Sequence, residues 1–157
     1  MLKGSPCQRG HEASLRVLAG GTGYLGEDPG LASLHDAAVL VMMWSVLNAF
    51  LHGVALLTKA GIPAKAAAAV IQGGLATTAG WLAGYAEQID QGAHPGDDST
   101  IATHLAAMDH LIEESAASGI STELPAFIKA IAQRAVDAGH GAKGYTALIE
   151  LFLSDRS

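Results

Sequence analysis

The chain has 157 residues, which sets a single domain as the prior, and its 50% hydrophobic and 15% charged residues are skewed toward burial for so small a protein. A net charge of −6 excludes the basic face that nucleic-acid binding needs. The single cysteine, Cys7, excludes an internal disulfide and points to a reducing, cytoplasmic compartment. An obligate interface, which resembles a core cut in half, accounts for the apolar skew.

From Met1 to Gly26 the pattern is weak. Lys3-Gly4-Ser5-Pro6 reads as loop, Gln8 to Leu18 as a short helix, and Thr22 to Leu25 as a short extended piece. Gly21-Thr22-Gly23-Tyr24-Leu25-Gly26 matches G-x-G-x-x-G, the dinucleotide fingerprint. That fingerprint works only between a buried strand and a helix whose free N–H groups face a pyrophosphate. Here Glu27 and Asp28 follow it, two carboxylates where phosphate belongs, so the glycines read as a turn and no cofactor-binding residue is assigned.

Gly30 to Thr58 reads as one long helix, the organising element of the chain. Asp28 and Pro29 start it, with acidic charge at the positive end of the dipole, and Gly61-Ile62-Pro63 ends it. No formal charge occurs from Ala37 to Leu57, and apolar residues lie on every side, so the helix is expected to be buried in protein or in lipid. Its length suffices for a membrane span. Ser45, Asn48, His52 and Gly53 interrupt the run, Asp36 and His35 sit at one end, and no basic cluster sets an orientation. A core helix wrapped by other helices, in part from a second subunit, is the better reading.

Ala64 to Ile89 reads as a second helix, weakened by Gly73, Gly74, Gly80 and Gly84, which mark a bend or close helix contacts. Asp98 or Ser99 begins a third, Thr100 to Ala117, with Ile101, Leu105, Met108, Leu111 and Ile112 at helical spacing. Ser121 or Thr122 caps a fourth, with Leu124, Phe127, Ile128, Ile131 and Val136 inward, ended by Gly139-His140-Gly141. Tyr145 to Leu153 closes the chain as a short helix. The class is all-α: a long central helix with about four further helices around it.

Seven histidines invite a metal, but no two stand at i and i+4 on one helix, and no Cys-x-x-Cys occurs. No serine sits in a G-x-S-x-G elbow. Asp36 is more informative. At about 100° per residue, Asp36, Leu40, Met43 and Leu47 form one stripe with Trp44 beside it, while Ser45, Asn48 and His52 lie opposite. Asp36 thus stands over an apolar and aromatic strip, as a general acid in an apolar pocket does. The alternative is an acid favoured by the helix dipole and facing water. Ser45, Asn48 and His52 read as hydrogen-bonded interhelical contacts.

The stretch YLGEDPGLASLHDAAVLVMMWSVLNAFLHGVALL, residues 24–57, resembles the imine reductases and reductive aminases of the hydroxyacid-dehydrogenase-like superfamily. The likeness continues through GAHPGDDSTIATHLAAMDHLIEES and LPAFIKAIAQRAVDAGHGAKGYTALIEL. It concerns only the C-terminal, helical half of such enzymes. The resemblance implies that residues 1–26 are the end of a Rossmann domain or an N-terminal tail. It makes residues 27–157 a helical substrate-binding and dimerisation domain. It implies an interlocked homodimer through the long helix and a site completed by a Rossmann domain, in the same enzyme or as a separate chain.

NADPH is implied for the intact family enzyme, with none bound by this chain alone; the substrate is a small imine, or an amine and a carbonyl compound. By the resemblance, Asp36 is the proton donor to the imine nitrogen while hydride from the nicotinamide attacks carbon. Trp44 and Met43 line the substrate pocket, and Trp81, Thr103 and His104 are its further candidates. The lysine that related dehydrogenases carry at the start of this helix has no counterpart here, since none occurs between Lys3 and Lys59. The competing readings are a non-catalytic helical dimerisation or binding module derived from that family, and a small membrane protein.

Overall fold

Among the residues that the computed structural model describes, Asp28 and 30–154, the first and longest helix is α1, Gly30–Lys59. The short helix, extended piece and glycine turn expected before residue 27 lie outside the described residues. After α1 come α2 (Ala64–Asp90), α3 (Ile101–Ala117) and α4 (Glu123–Ala135), then a π turn (Val136–His140), a 3₁₀ turn (Tyr145–Leu148) and α5 (Ile149–Leu153). No strand occurs among the described residues. The class is all-α, as the sequence pattern implies.

The chain divides within α1 into two compact units, one reaching to Val46 and one starting at Leu47. In the first unit the described residues are the start of α1. Asp28 Oδ1 accepts a hydrogen bond from the Gly30 N–H at 2.8 Å, satisfying one of the orphan donors of the helix start. Ser45 turns back onto its own helix, donating to the Val41 carbonyl at 2.7 Å, rather than reaching a neighbour as expected.

No residue of α1 is buried within the single chain: Val41 is 65% exposed, Trp44 58% and Leu51 63%. The expected wrapping of this helix is therefore not achieved by the chain's own helices. By length and composition both α1 and α2 could cross a membrane.

In the second unit, α1 ends in a Schellman motif. Gly61, at φ +83°, donates to Thr58 O at 3.0 Å, and Ile62 donates to Leu57 O at 3.1 Å. Gly92 and Gly119 end α2 and α3 in the same way. The end of α1 lies against α2 at Gly53, where an added Cβ would meet Ile71 Cδ1 at 3.0 Å. His52 bridges α1 to α3, its Nε2 3.2 Å from Ser115 Oγ. Ser115 is fully buried and spends its proton on the Leu111 carbonyl, 2.7 Å away, so His52 is the donor to it. That contact is the interhelical one expected of His52.

The core joins α3, α4 and the C-terminal turns. Ile101, Ala132, Ala135, Ala147 and Leu148 are buried together, with Leu105, Met108, Ile131, Val136, Tyr145 and Leu151 packed around them. Burying Ile101 fully contributes roughly 1.5–3 kcal/mol. The alanines contribute less area but let the backbones approach. Phe127, expected inward, is 65% exposed. On α4 the buried positions are Pro125, Ala132 and Ala135, and Phe127 sits roughly 100° around the helix from Ile128, off the edge of that face.

Two further expectations are corrected. α2 is continuous through its glycines, and a Cβ at Gly73, Gly74, Gly80 or Gly84 would meet nothing within 4 Å, so no close contact among the described residues explains them. The last helix is split: the chain turns as a 3₁₀ segment through Leu148 before α5 begins.

Candidate functional site

Helix α3 opens not at Asp98 or Ser99 but at Thr100, whose hydroxyl accepts from the Thr103 N–H at 3.2 Å. The two N–H groups before it are taken by the returning chain: Ile101 donates to Lys143 O at 2.9 Å and Ala102 to Gly141 O at 3.1 Å. The first-turn donors of α3 are thereby satisfied from within. A third backbone bond, Gly144 N–H to His94 O at 3.0 Å, completes a seam between the 94–100 loop and the 141–146 segment. Glycine is required on both sides of it. A Cβ at Gly144 would stand 2.2 Å from the Pro95 oxygen, and one at Gly96 would stand 2.6 Å from the Ala142 oxygen.

This seam holds one wall of a pocket of about 520 Å³. The other wall is one face of α2, carrying Gly80, Trp81, Gly84, Tyr85 and Gln88; the loops and α3 add Pro95, Asp98, Ser99, His104, Gly144 and Tyr145. The glycines leave the floor open and the aromatic rings give it shape. His104 meets Tyr145 edge-on, ring centroids 5.0 Å apart at 69°. Burial first, and then the neighbouring Tyr85, push the Tyr145 phenol above its ordinary value of 10.0, so it stays a neutral hydrogen-bond donor at physiological pH.

The sequence-derived site residues separate as follows. Trp81 and His104 share this pocket. Thr103 lies beside it but serves the α3 cap, its hydroxyl 3.0 Å from that of Thr100. Asp36, Met43 and Trp44 belong to the first unit, where Asp36 is exposed, Met43 is 36% exposed and Trp44 58%. Sequence reasoning missed Tyr85, Gln88, Asp98 and Tyr145. For the first two a signal existed: Trp81, Tyr85 and Gln88 follow i, i+4, i+7 spacing and share a helix face. Among the described residues no three His, Cys, Asp or Glu side chains gather as a metal site.

The pocket does not fit a dinucleotide phosphate. Its lining contains no lysine or arginine and does contain the Asp98 carboxylate. It suits a small, partly apolar molecule with one or two polar groups.

Residues 28–154 match the family described as NADPH-dependent reductive aminase-like, C-terminal domain. An NADPH-dependent reductive aminase from Aspergillus oryzae is 36% identical over 139 residues, 86% of this chain and 47% of the relative. Among solved structures, an imine reductase from Streptomyces aurantiacus superposes with a TM-score of 0.88 at 32% identity, covering 94% of this chain and 52% of that one. A reductive aminase from Aspergillus terreus, in complex with NADPH4, cyclohexanone and allyl amine, gives a TM-score of 0.78 at 34% identity, covering 83% and 46%. The chain thus spans about half the length of the relatives it matches.

Proposed function

We propose that this chain, which belongs to the NADPH-dependent reductive aminase-like C-terminal domain family, forms the substrate-binding and dimerisation half of an imine-reducing enzyme. One observation carries the reading: an aromatic pocket without phosphate-binding cations, on a chain whose family match runs from residue 28 to 154. The described residues supply a carboxyl group and a shaped pocket whose lining holds no lysine or arginine. In this proposal the cofactor, the source of hydride, is held by a separate Rossmann domain. The work of this chain is to orient a small imine, or an amine and a carbonyl compound, and to exclude water around it. Asp36 is proposed to deliver the proton to nitrogen. Trp44 and Met43, beside it on α1, and Trp81 and His104 in the pocket are proposed to contact substrate, with Thr103 supporting His104 through the helix cap.

The reading is tested by complementation. The chain alone is expected to show no calorimetric binding of NADPH at micromolar concentration and no turnover. Adding the N-terminal half of a reductive aminase, fused or in trans, is expected to give imine-dependent NADPH oxidation. Tight NADPH binding by the chain alone would overturn it. A complemented, folded protein with no turnover would favour the non-catalytic binding module instead.

The partner proposed for α1 is a second copy of this chain. Large apolar side chains from Leu34 to Leu51 stand exposed all round the helix, more than a soluble monomer presents to water. Protein rather than lipid is the proposed cover, because Asp36, Ser45 and His52 sit along the run. Equilibrium sedimentation in detergent-free buffer is expected to show a dimer at micromolar concentration. A well-folded monomer, or a protein soluble only in detergent, would count against this.

A further inference from the structure

We infer that the pocket between α2 and the 141–146 segment takes an organic ammonium ion, with the Asp98 carboxylate as counter-charge and Trp81, Tyr85 and Tyr145 as its aromatic wall. The inference rests on the proposed function for the role of this pocket and adds the chemical class of its ligand: an amine in its charged form.

The lining sets the class. Trp81 and Tyr85 stand at i and i+4 on one face of α2, and the seam brings Tyr145 to the same cavity. Trp81 is 53% exposed, so its ring is open to a ligand. Aromatic rings attract a cation placed over the face within about 6 Å, and indole does so best. Tyr145 adds a ring without adding charge, because burial and then Tyr85 hold its phenol neutral.

Asp98 supplies the formal charge. It stands two residues before the Thr100 cap, in the loop that the seam fixes, and lines the cavity. Its carboxylate makes no ion pair or hydrogen bond among the described residues, whereas Asp109 is paired with Lys129 and Glu150 faces His94. The surrounding sequence offers it no cation. No lysine or arginine occurs between Lys65 and Lys129, the stretch that builds α2, the loop and α3, while Glu87, Asp90 and Asp97 precede Asp98 within it. Lys143, on the opposite segment, is exposed and outside the lining. A field of one sign at a cleft concentrates ligands of the other.

Other ligand classes fit less well. An anion would meet Asp98 with no lysine or arginine in the lining to offset the repulsion. A neutral carbonyl compound would take water from the carboxylate and return no charge or proton to it. An alkylammonium satisfies both features together: its N–H or its charge meets Asp98, and its carbon substituents, which share the positive charge, lie against the rings.

The test is an NMR titration of the full chain, followed at the Trp81 indole N–H. It runs at about pH 8, above the range in which imidazole titrates and below that of an alkylamine, so the His104 ring does not compete. The probes are choline and 3,3-dimethylbutan-1-ol, which have the same shape but differ in charge. Choline should give a saturable shift and bind roughly tenfold more tightly than the alcohol. Asp98→Asn, at an exposed and unpartnered position, should keep the fold by circular dichroism. It should weaken choline about threefold and leave the alcohol unchanged. Trp81→Leu should remove most of the preference for charge. Equal binding of the two probes would overturn the inference, as would no saturable choline shift or unchanged choline affinity in folded Asp98→Asn. Turnover after complementation without an ammonium preference would strike this inference and leave the proposed function standing. An ammonium preference without turnover would do the reverse.

Discussion

Gly144→Ala is expected to lower the thermal midpoint by roughly 6–12 °C, the consequence of about 3 kcal/mol of lost stability in a chain of this size. The cause is not backbone conformation. Gly144 sits at φ −65° and ψ 163°, which alanine adopts freely. The cost comes from close approach: the new methyl carbon would lie 2.2 Å from the Pro95 oxygen and 3.1 Å from its carbonyl carbon. Both are backbone atoms, so no rotamer change relieves the clash. The 94–100 loop would have to back away, stretching the Gly144–His94 bond and the two bonds that close the start of α3. The pocket wall carrying Gly144, Tyr145 and Pro95 would open with it. Circular dichroism melting checks the result. A midpoint within about 2 °C of the parent would mean that the seam is softer than its geometry implies.

That seam marks where sequence reading reaches its limit. Helices α1 to α4 were legible because each has a start and a stop around an apolar pattern, continuous in α1 and periodic in α3 and α4. Gly61, Gly92 and Gly119 take the left-handed conformation that a helix end needs, and each stands where the apolar period ceases. The cap of α3 was misplaced by one or two residues because Asp98, Ser99 and Thr100 are all good caps, and only the tertiary fold selects Thr100. Phe127 was misread because a 13-residue helix with alanines at its buried positions hides which stripe faces the core. The candidate site was half legible. Trp81 and His104 were found through family likeness, and Tyr85 and Gln88 were within reach of the helical period. Tyr145 and Gly144 were not. They meet α2 and the 94–100 loop across roughly fifty residues of chain, and nothing local in the sequence encodes that closure.

Asp36→Asn is expected to reduce kcat of the complemented enzyme by about 10²–10⁴-fold, the usual contribution of a positioned general acid. Asparagine keeps the size and a hydrogen-bonding tip but has no proton to transfer. Asp36 is the only carboxylate between Asp28 and Glu87, and it shares a face of α1 with Leu40, Met43 and Leu47. Leu40 is 39% exposed, Met43 36% and Leu47 44%, so the strip is open in the single chain and available for a second domain to close. The alternative gives Asp36 a role in the helix dipole, worth about 0.3–1 kcal/mol to stability and nothing to chemistry. The start of the helix weakens that alternative. α1 begins at Gly30 with no acid in its first turn, and Asp36 is the seventh residue, past the single turn over which the dipole effect is felt. The bond that serves the helix start is already made by Asp28. Imine reduction and thermal midpoint measured on the same Asp36→Asn sample separate the two. A large loss of kcat at an unchanged midpoint assigns Asp36 to proton transfer. An unchanged kcat with a midpoint lowered by a degree or two would remove the catalytic assignment and leave Asp36 as a surface charge.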